Sequence, residues 1–262
     1  MIELLEAKGT GCYVCNAYLG CVMYADDILL LSPSVAGLQT MLNTCHAYSV
    51  EYNILFNATK SNCIKVGKNW DINVLNMIIG AIDINCTTEF KYLGVSFLFG
   101  VKLQIDCLPV KRKFYAACNS VINKCKGAAE SIKVLLVKSY CLPLLTYCIG
   151  ALDLNSCLIN QLGVCWNDIF RKIFGMNRWE SVRLVQYFCD ILPFKYLYDL
   201  HRWNFLSQAA YMCKPIVTLQ SMTVYPDRFY WEYGYSGLSL SNNHRKNAVK
   251  HSFTNYCMEL LS

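Results

Sequence analysis

Charge is scarce in this chain: Asp, Glu, Lys and Arg make up 16% of 262 residues, against 55% hydrophobic. A disordered chain needs the opposite balance, so the composition requires a folded core. Also missing is an apolar stretch near the start. Glu3, Glu6 and Lys8 stand where a secretory leader would carry its hydrophobic run. The expectation is therefore an intracellular protein, nuclear or cytoplasmic and not secreted. Its sixteen cysteines are then reduced and serve mostly as small apolar side chains. Apolar runs of bilayer length are absent too, and a span needs about 20 residues. Residues 9–25 are uncharged but broken by Thr10, Gly11, Asn16 and Gly20. Residues 139–152 are short and bounded by Lys138 and Asp153. No membrane partner is expected; only residues 139–167 would enter a bilayer, and only if Asp153 were tolerated. The high hydrophobicity reads instead as surface meant for a larger assembly. Cys12-x-x-Cys15 has no second such pair, and His46, His201, His244 and His251 are scattered, so no zinc site is expected. No His or Asn is placed to activate a cysteine nucleophile. There is no internal repeat and no low-complexity linker.

What charge there is divides unevenly. Residues 1–110 hold six Lys and Arg against nine Asp and Glu; residues 111–262 hold eighteen against nine. An acidic first part beside a basic second part suits a nucleic-acid enzyme with a carboxylate site and a phosphate-gripping module. The hydrophobic period agrees with two parts. Up to about residue 105 short apolar runs alternate with turn signals, which predicts strands at 21–24, 28–31, 54–56, 63–66, 77–79, 82–84 and 92–97. One helix interrupts them, capped by Ser34 and apolar at Val35, Leu38, Met41, Leu42, Cys45 and Tyr48. From about residue 106 the period lengthens toward 3.6. Helices are predicted from Pro109 through Ile122, over 130–147 with a kink or stop at Pro143, over 154–174 up to Gly175, and over 194–212. Residues 216–262 show no steady period. The division is thus 1–105, 106–215 and an irregular tail, 216–262.

The most informative motif is Tyr24-Ala25-Asp26-Asp27. Two apolar strands flank an acidic pair, which predicts a β-hairpin with both carboxylates at its tip. Adjacent carboxylates repel, and a divalent cation relieves them. Mg²⁺ accepts one or two carboxylates together with substrate phosphates, and a pair of such ions is the usual device for polymerising nucleotides.

Here the sequence resembles the reverse transcriptases of non-LTR (LINE-like) retrotransposons. The resemblance runs through YADDILLLSPSVAGLQTML, ILFNATKSNCIKVG and FKYLGVSF, in order and closely spaced, and fades through VKSYCLPLLTY. It covers roughly residues 10–210. It implies an RNA-directed DNA polymerase acting with an RNA template, a DNA primer and dNTP, and with Mg²⁺ or Mn²⁺. It implies that Asp26 binds catalytic metal with Asp27 supporting it, and that Tyr24 and Ala25 lie beneath the primer end and incoming nucleotide. Lys60 matches a lysine near the nucleotide phosphates that protonates the leaving pyrophosphate; outside this context it reads as a turn lysine. Tyr92, Leu93 and Gly94 match the segment leading to the primer-contacting hairpin, and Tyr92 and Leu93 suit strand core equally well. Lys111, Arg112, Lys113, Lys124 and Lys126 would face the template–primer backbone, or form a solvated helix face.

The expected architecture is α+β: a truncated reverse-transcriptase palm, its antiparallel sheet packed by one helix, then an all-helical thumb-like region. In the family a further catalytic aspartate and the fingers precede YADD, and the 23 residues before Tyr24 do not offer them. The expectation is a fragment that holds metal weakly, inactive alone, to be completed by an upstream palm and fingers segment. The other class of reading is a non-catalytic nucleic-acid-binding module using the basic thumb.

Overall fold

The computed structural model of the chain describes residues 1–14, 17–68, 77–210, 232–233 and 241–261. The fold class is α+β, in two compact units, Met1–Asp106 and Cys107–Ser262.

In the first unit a short helix α1 (Ile2–Ala7) precedes a run of strands. Among the described residues these make four small sheets where one antiparallel sheet was expected. Strand β1 (Tyr13–Val14) pairs with β2 (Ala17–Tyr18), and β3 (Cys21–Tyr24) with β4 (Asp27–Leu30). A third sheet has the order β5 (Asn62–Cys63), β7 (Ile82–Cys86), β6 (Met77–Ile79), and β5 runs parallel to β7. The fourth joins β8 (Glu89–Tyr92), β9 (Val95–Leu98) and β10 (Gln104–Asp106). Strands of two to five residues, several joined by two-residue turns, pair with their chain neighbours and leave little edge for a wider sheet.

Helix α2 (Val35–Glu51) begins where expected. Ser34 caps it, its Oγ accepting the Gly37 amide at 3.1 Å. Its buried Met41 and Cys45 join Leu5 and Cys21 in one cluster, and Leu42 joins Met77 and Ile84 in another. The strand expected at 54–56 is absent. The chain leaves α2 through left-handed Asn53, Leu55 is 95% exposed, and Phe56 turns back onto the Leu5 cluster. The strand expected at 92–97 is a hairpin instead, turning at Leu93-Gly94 with φ of 45° and 83°. Both residues are left-handed, as a two-residue turn of type I′ requires.

The second unit is helical among its described residues. Pro109 sits in the first turn of α3 (Leu108–Lys124), where no amide partner is lost. Helix α4 (Glu130–Leu136) passes through a π-helical turn, Val137–Cys141, into α5 (Leu142–Thr146). Pro143 has no amide to offer the preceding turn, and the widened turn lies just before it. Helix α6 (Ser156–Phe174) is capped by Asn155, whose side chain accepts the Leu158 amide at 2.9 Å, and is closed by left-handed Gly175. Then come α7 (Arg183–Phe188), α8 (Phe194–Ala210) and α9 (Asn242–Leu261). Residues 211 and 212, read as the end of the helix before α9, lie outside the described residues.

The tail read as irregular therefore contains α9. Ala248, Val249, Phe253 and Cys257 of α9 are buried against Trp203 and Leu206 of α8. The stripe is narrow, with three of its members four residues apart, and it lies in a run rich in Asn, His and Lys that hides its period.

Helices α3 and α6 run parallel. Phe114 meets Trp166, both 0% exposed, with ring centroids 6.2 Å apart. Along one edge Lys111 Nζ donates to Gln161 Oε1 at 2.9 Å, Tyr115 Oη to Asp168 Oδ2 at 3.0 Å, and Lys172 Nζ to Asn119 Oδ1 at 2.6 Å. Residues 147–155 are tied to α8. Arg202 donates to the Gly150 carbonyl and Tyr198 Oη to the Leu152 carbonyl, each at 3.1 Å, while Tyr198 Oη accepts the Leu154 amide. Residues 139–167, the stretch weighed against a bilayer, are thus divided between the π turn, α5, this loop and α6. No helix among the described residues is long and apolar enough to cross a membrane.

A Cβ added at Gly150 would stand 2.6 Å from the His201 carbonyl oxygen, a backbone atom that cannot step aside. Gly150→Ala should cost about 1–3 kcal/mol of stability, measured by chemical denaturation. Lys250 donates to both carboxylate oxygens of Asp190, at 2.8 and 2.9 Å. That bond holds the Asp190 carboxyl below its ordinary 3.8. A depressed carboxylate stabilises the fold above its unfolded pKa and ceases to do so as pH falls through the folded one. Lys250→Met should therefore remove a small, salt-sensitive stabilisation at pH 6 and none near pH 2, read as the difference in denaturation midpoint.

Candidate functional site

The β3–β4 hairpin pairs Cys21 with Leu30, Val22 with Leu29, Met23 with Ile28 and Tyr24 with Asp27. Cys21, Ile28 and Leu30 lie in the cluster with Leu5 and Met41, which anchors the hairpin at its base. Its tip is open: Tyr24 is 63% exposed, and Ala25, Asp26 and Asp27 are exposed. The two-residue turn is Ala25-Asp26, with Ala25 left-handed at φ 52°. Two-residue hairpin turns require that conformation, and a Cβ makes it costly. Asp26 thus occupies the turn itself, and Asp27 is the first residue of the returning strand.

The two carboxylates are hard oxygen donors open to water and to a second molecule. That set fits Mg²⁺ or Mn²⁺ held jointly with phosphate oxygens. Among the described residues no third His, Cys, Asp or Glu completes a group with them. Cys15, of the Cys12-x-x-Cys15 spacing, lies outside the described residues.

The β8–β9 hairpin brings a second element to Asp27. Tyr92 ends β8, one residue before the Leu93-Gly94 turn. Its hydroxyl is buried and makes no hydrogen bond among the described residues. Its phenol is pushed above the ordinary value, first by burial and then by the Asp27 carboxylate. Two residues 65 positions apart thus share one locality, which sequence spacing does not reveal.

Lys60 ends a short 3₁₀ turn, Ala58–Lys60, whose cap is Asn57; its Oδ1 accepts the Lys60 amide at 3.1 Å. The lysine side chain is exposed, and among the described residues no hydrogen bond or ion pair joins it to Asp26 or Asp27. In the second unit the expected basic set splits. Lys111 is half-buried and holds Gln161, whereas Arg112, Lys113, Lys124 and Lys126 are exposed and form no ion pair among the described residues.

A residue that spacing did not single out is Gln39, in the run SPSVAGLQTML. From α2 its Nε2 donates to the Ile78 carbonyl at 2.8 Å, and its Oε1 accepts the Ile78 amide at 3.0 Å. Strand β6 is the edge of its sheet, so Gln39 occupies the backbone groups that another strand would take. Gln39→Leu should leave the Ile78 amide unpaired, and its hydrogen exchange should accelerate toward that of exposed loop amides while Ile84 in β7 stays protected. No protein-family model, curated protein or solved structure matches the chain.

Proposed function

We propose that this chain supplies the carboxylate hairpin and a basic helical part of an RNA-directed DNA polymerase like those of non-LTR retrotransposons. The observation that carries the proposal is the pair Asp26 and Asp27, exposed at a two-residue β-turn and standing at the head of the ordered motifs described above. Mg²⁺ or Mn²⁺ bound there supplies Lewis-acid activation of the primer hydroxyl and neutralises phosphate charge. Asp26 is the principal metal-holding residue and Asp27 the supporting one. The exposed ring of Tyr24 lies against the primer end, and Lys60 delivers a proton to the departing pyrophosphate. Two-metal transfer uses a further carboxylate, and no third donor joins the hairpin among the described residues. That carboxylate comes from a complementary palm and fingers segment, in whose company alone the chain is active.

The test is primer extension on an RNA template with Mg²⁺ or Mn²⁺. Extension is expected when the chain is mixed with a fingers–palm segment bearing the further aspartate. It should be absent for the chain alone, and reduced at least about 100-fold by Asp26→Ala. Extension that is indifferent to Asp26→Ala would overturn the assignment.

A second reading, a non-catalytic nucleic-acid-binding module, is favoured by Arg112, Lys113, Lys124 and Lys126, which are exposed and form no ion pair among the described residues. Four phosphate contacts would give RNA–DNA hybrid binding a log–log salt slope of about −3 to −4. That binding should be unaffected by Asp26→Ala, and no binding at low salt would remove this reading.

A further inference from the structure

Cys63 and Cys86 are direct partners across the parallel β5–β7 ladder. Neighbouring strands lie about 4.8 Å apart, inside the Cα separation of about 4.4–6.8 Å that a disulfide spans. The Cys86 thiol is close enough to help raise that of Cys63, after the larger effect of burial. Each cysteine is the last residue of its strand, and the Thr87 amide donates to the Cys63 carbonyl at 3.0 Å, which keeps the two cysteines side by side. Access is graded as well: Cys86 is exposed and Cys63 half-buried. A second pair of neighbouring cysteines supplies the contrast. Cys118 and Cys141 lie near each other in the helical unit, and both are 0% exposed.

We propose that Cys63 and Cys86 are a site of reversible oxidative modification, closed to a disulfide by a peroxide, and that Cys118 and Cys141 are not. The thiolate of exposed Cys86 attacks one peroxide oxygen. An S–O bond forms, the O–O bond breaks, and the departing hydroxide takes up the thiol proton as water. The Cys63 sulfur then attacks the Cys86 sulfur. An S–S bond forms, the S–O bond breaks, and the second hydroxide leaves with the Cys63 proton as a second water. Two thiols lose two electrons and one hydrogen peroxide gains them. Burial pushes the Cys63 thiol up to about 11, which suits the residue that reacts second, inside the pair, rather than the one that meets the oxidant. The disulfide would fasten the segment after Lys60 onto β7, whose partner β6 is held by Gln39. Such a bond is a switch rather than a permanent staple in a reducing compartment.

The full chain, treated with hydrogen peroxide in its native state, is then denatured, alkylated, digested and mapped by mass spectrometry. A cross-linked peptide pair carrying Cys63 and Cys86 is expected, two hydrogens lighter than its parts and separated by dithiothreitol. Cys118 and Cys141 should be recovered alkylated. In Cys86→Ser, Cys63 should be recovered alkylated after the same treatment. The mapping on the natural sequence decides the matter even if that variant fails to fold. Cys86 found as sulfenic or sulfinic acid beside a free Cys63 would overturn the proposal. So would both thiols remaining free, or Cys118–Cys141 forming the linked pair.

Discussion

Neither a two-stranded hairpin nor a three-stranded sheet of very short strands keeps its shape in water without an apolar surface to lie on. In Met1–Asp106 that surface is α2. One side of the helix gives Met41 and Cys45 to the base of the β3–β4 hairpin and to Leu5 of α1. An adjoining side gives Leu42 to Met77 and Ile84. Each such side chain contributes about 1.5–3 kcal/mol when fully buried. Gln39 adds a polar clasp on the same helix, meeting a backbone amide and carbonyl that burial alone cannot satisfy. The carboxylate hairpin is thus positioned from its base, while its tip stays wet.

That arrangement sets hydrophobic anchoring against electrostatic repulsion along a few residues. Asp26 and Asp27 are adjacent and exposed, so water lowers their mutual cost, and the turn needs a left-handed Ala25 that a glycine would adopt more easily. Cys21, Ile28 and Leu30 hold the strands together from the other end. Tyr92 of β8 is buried and near enough for the same carboxylate to raise its phenol further. A local sequence that is mildly unfavourable at its tip is kept in place by contacts made elsewhere.

The parts legible in the sequence are those whose signals are local. The hairpin was readable because two apolar runs flank an acidic pair, the start of α2 because Ser34 carries a capping side chain, and the end of α6 because Gly175 adopts a left-handed backbone easily. The turn at 93–94 was missed because its first residue is Leu, which has no preference for the left-handed region, so the segment read as one strand. Helix α9 was missed because its buried stripe is narrow within a polar stretch. At the site, the turn placement of Asp26 followed from sequence. The nearness of Tyr92 to Asp27 did not, since it depends on how two separate hairpins pack. Lys111 shows the complementary failure: composition counts it with the free cations, but tertiary packing has already given it Gln161.

The α3–α6 contact separates adhesion from alignment. Phe114 and Trp166 would stick nearly as well if one helix slid a little along the other, because apolar attraction has no preferred notch. The polar edge has three notches, at Lys111 with Gln161, Tyr115 with Asp168 and Asn119 with Lys172. Sliding by one helical turn, about 5.4 Å, would break these three pairings together. The oily side of the interface supplies the glue, and its wet margin works as an index pin.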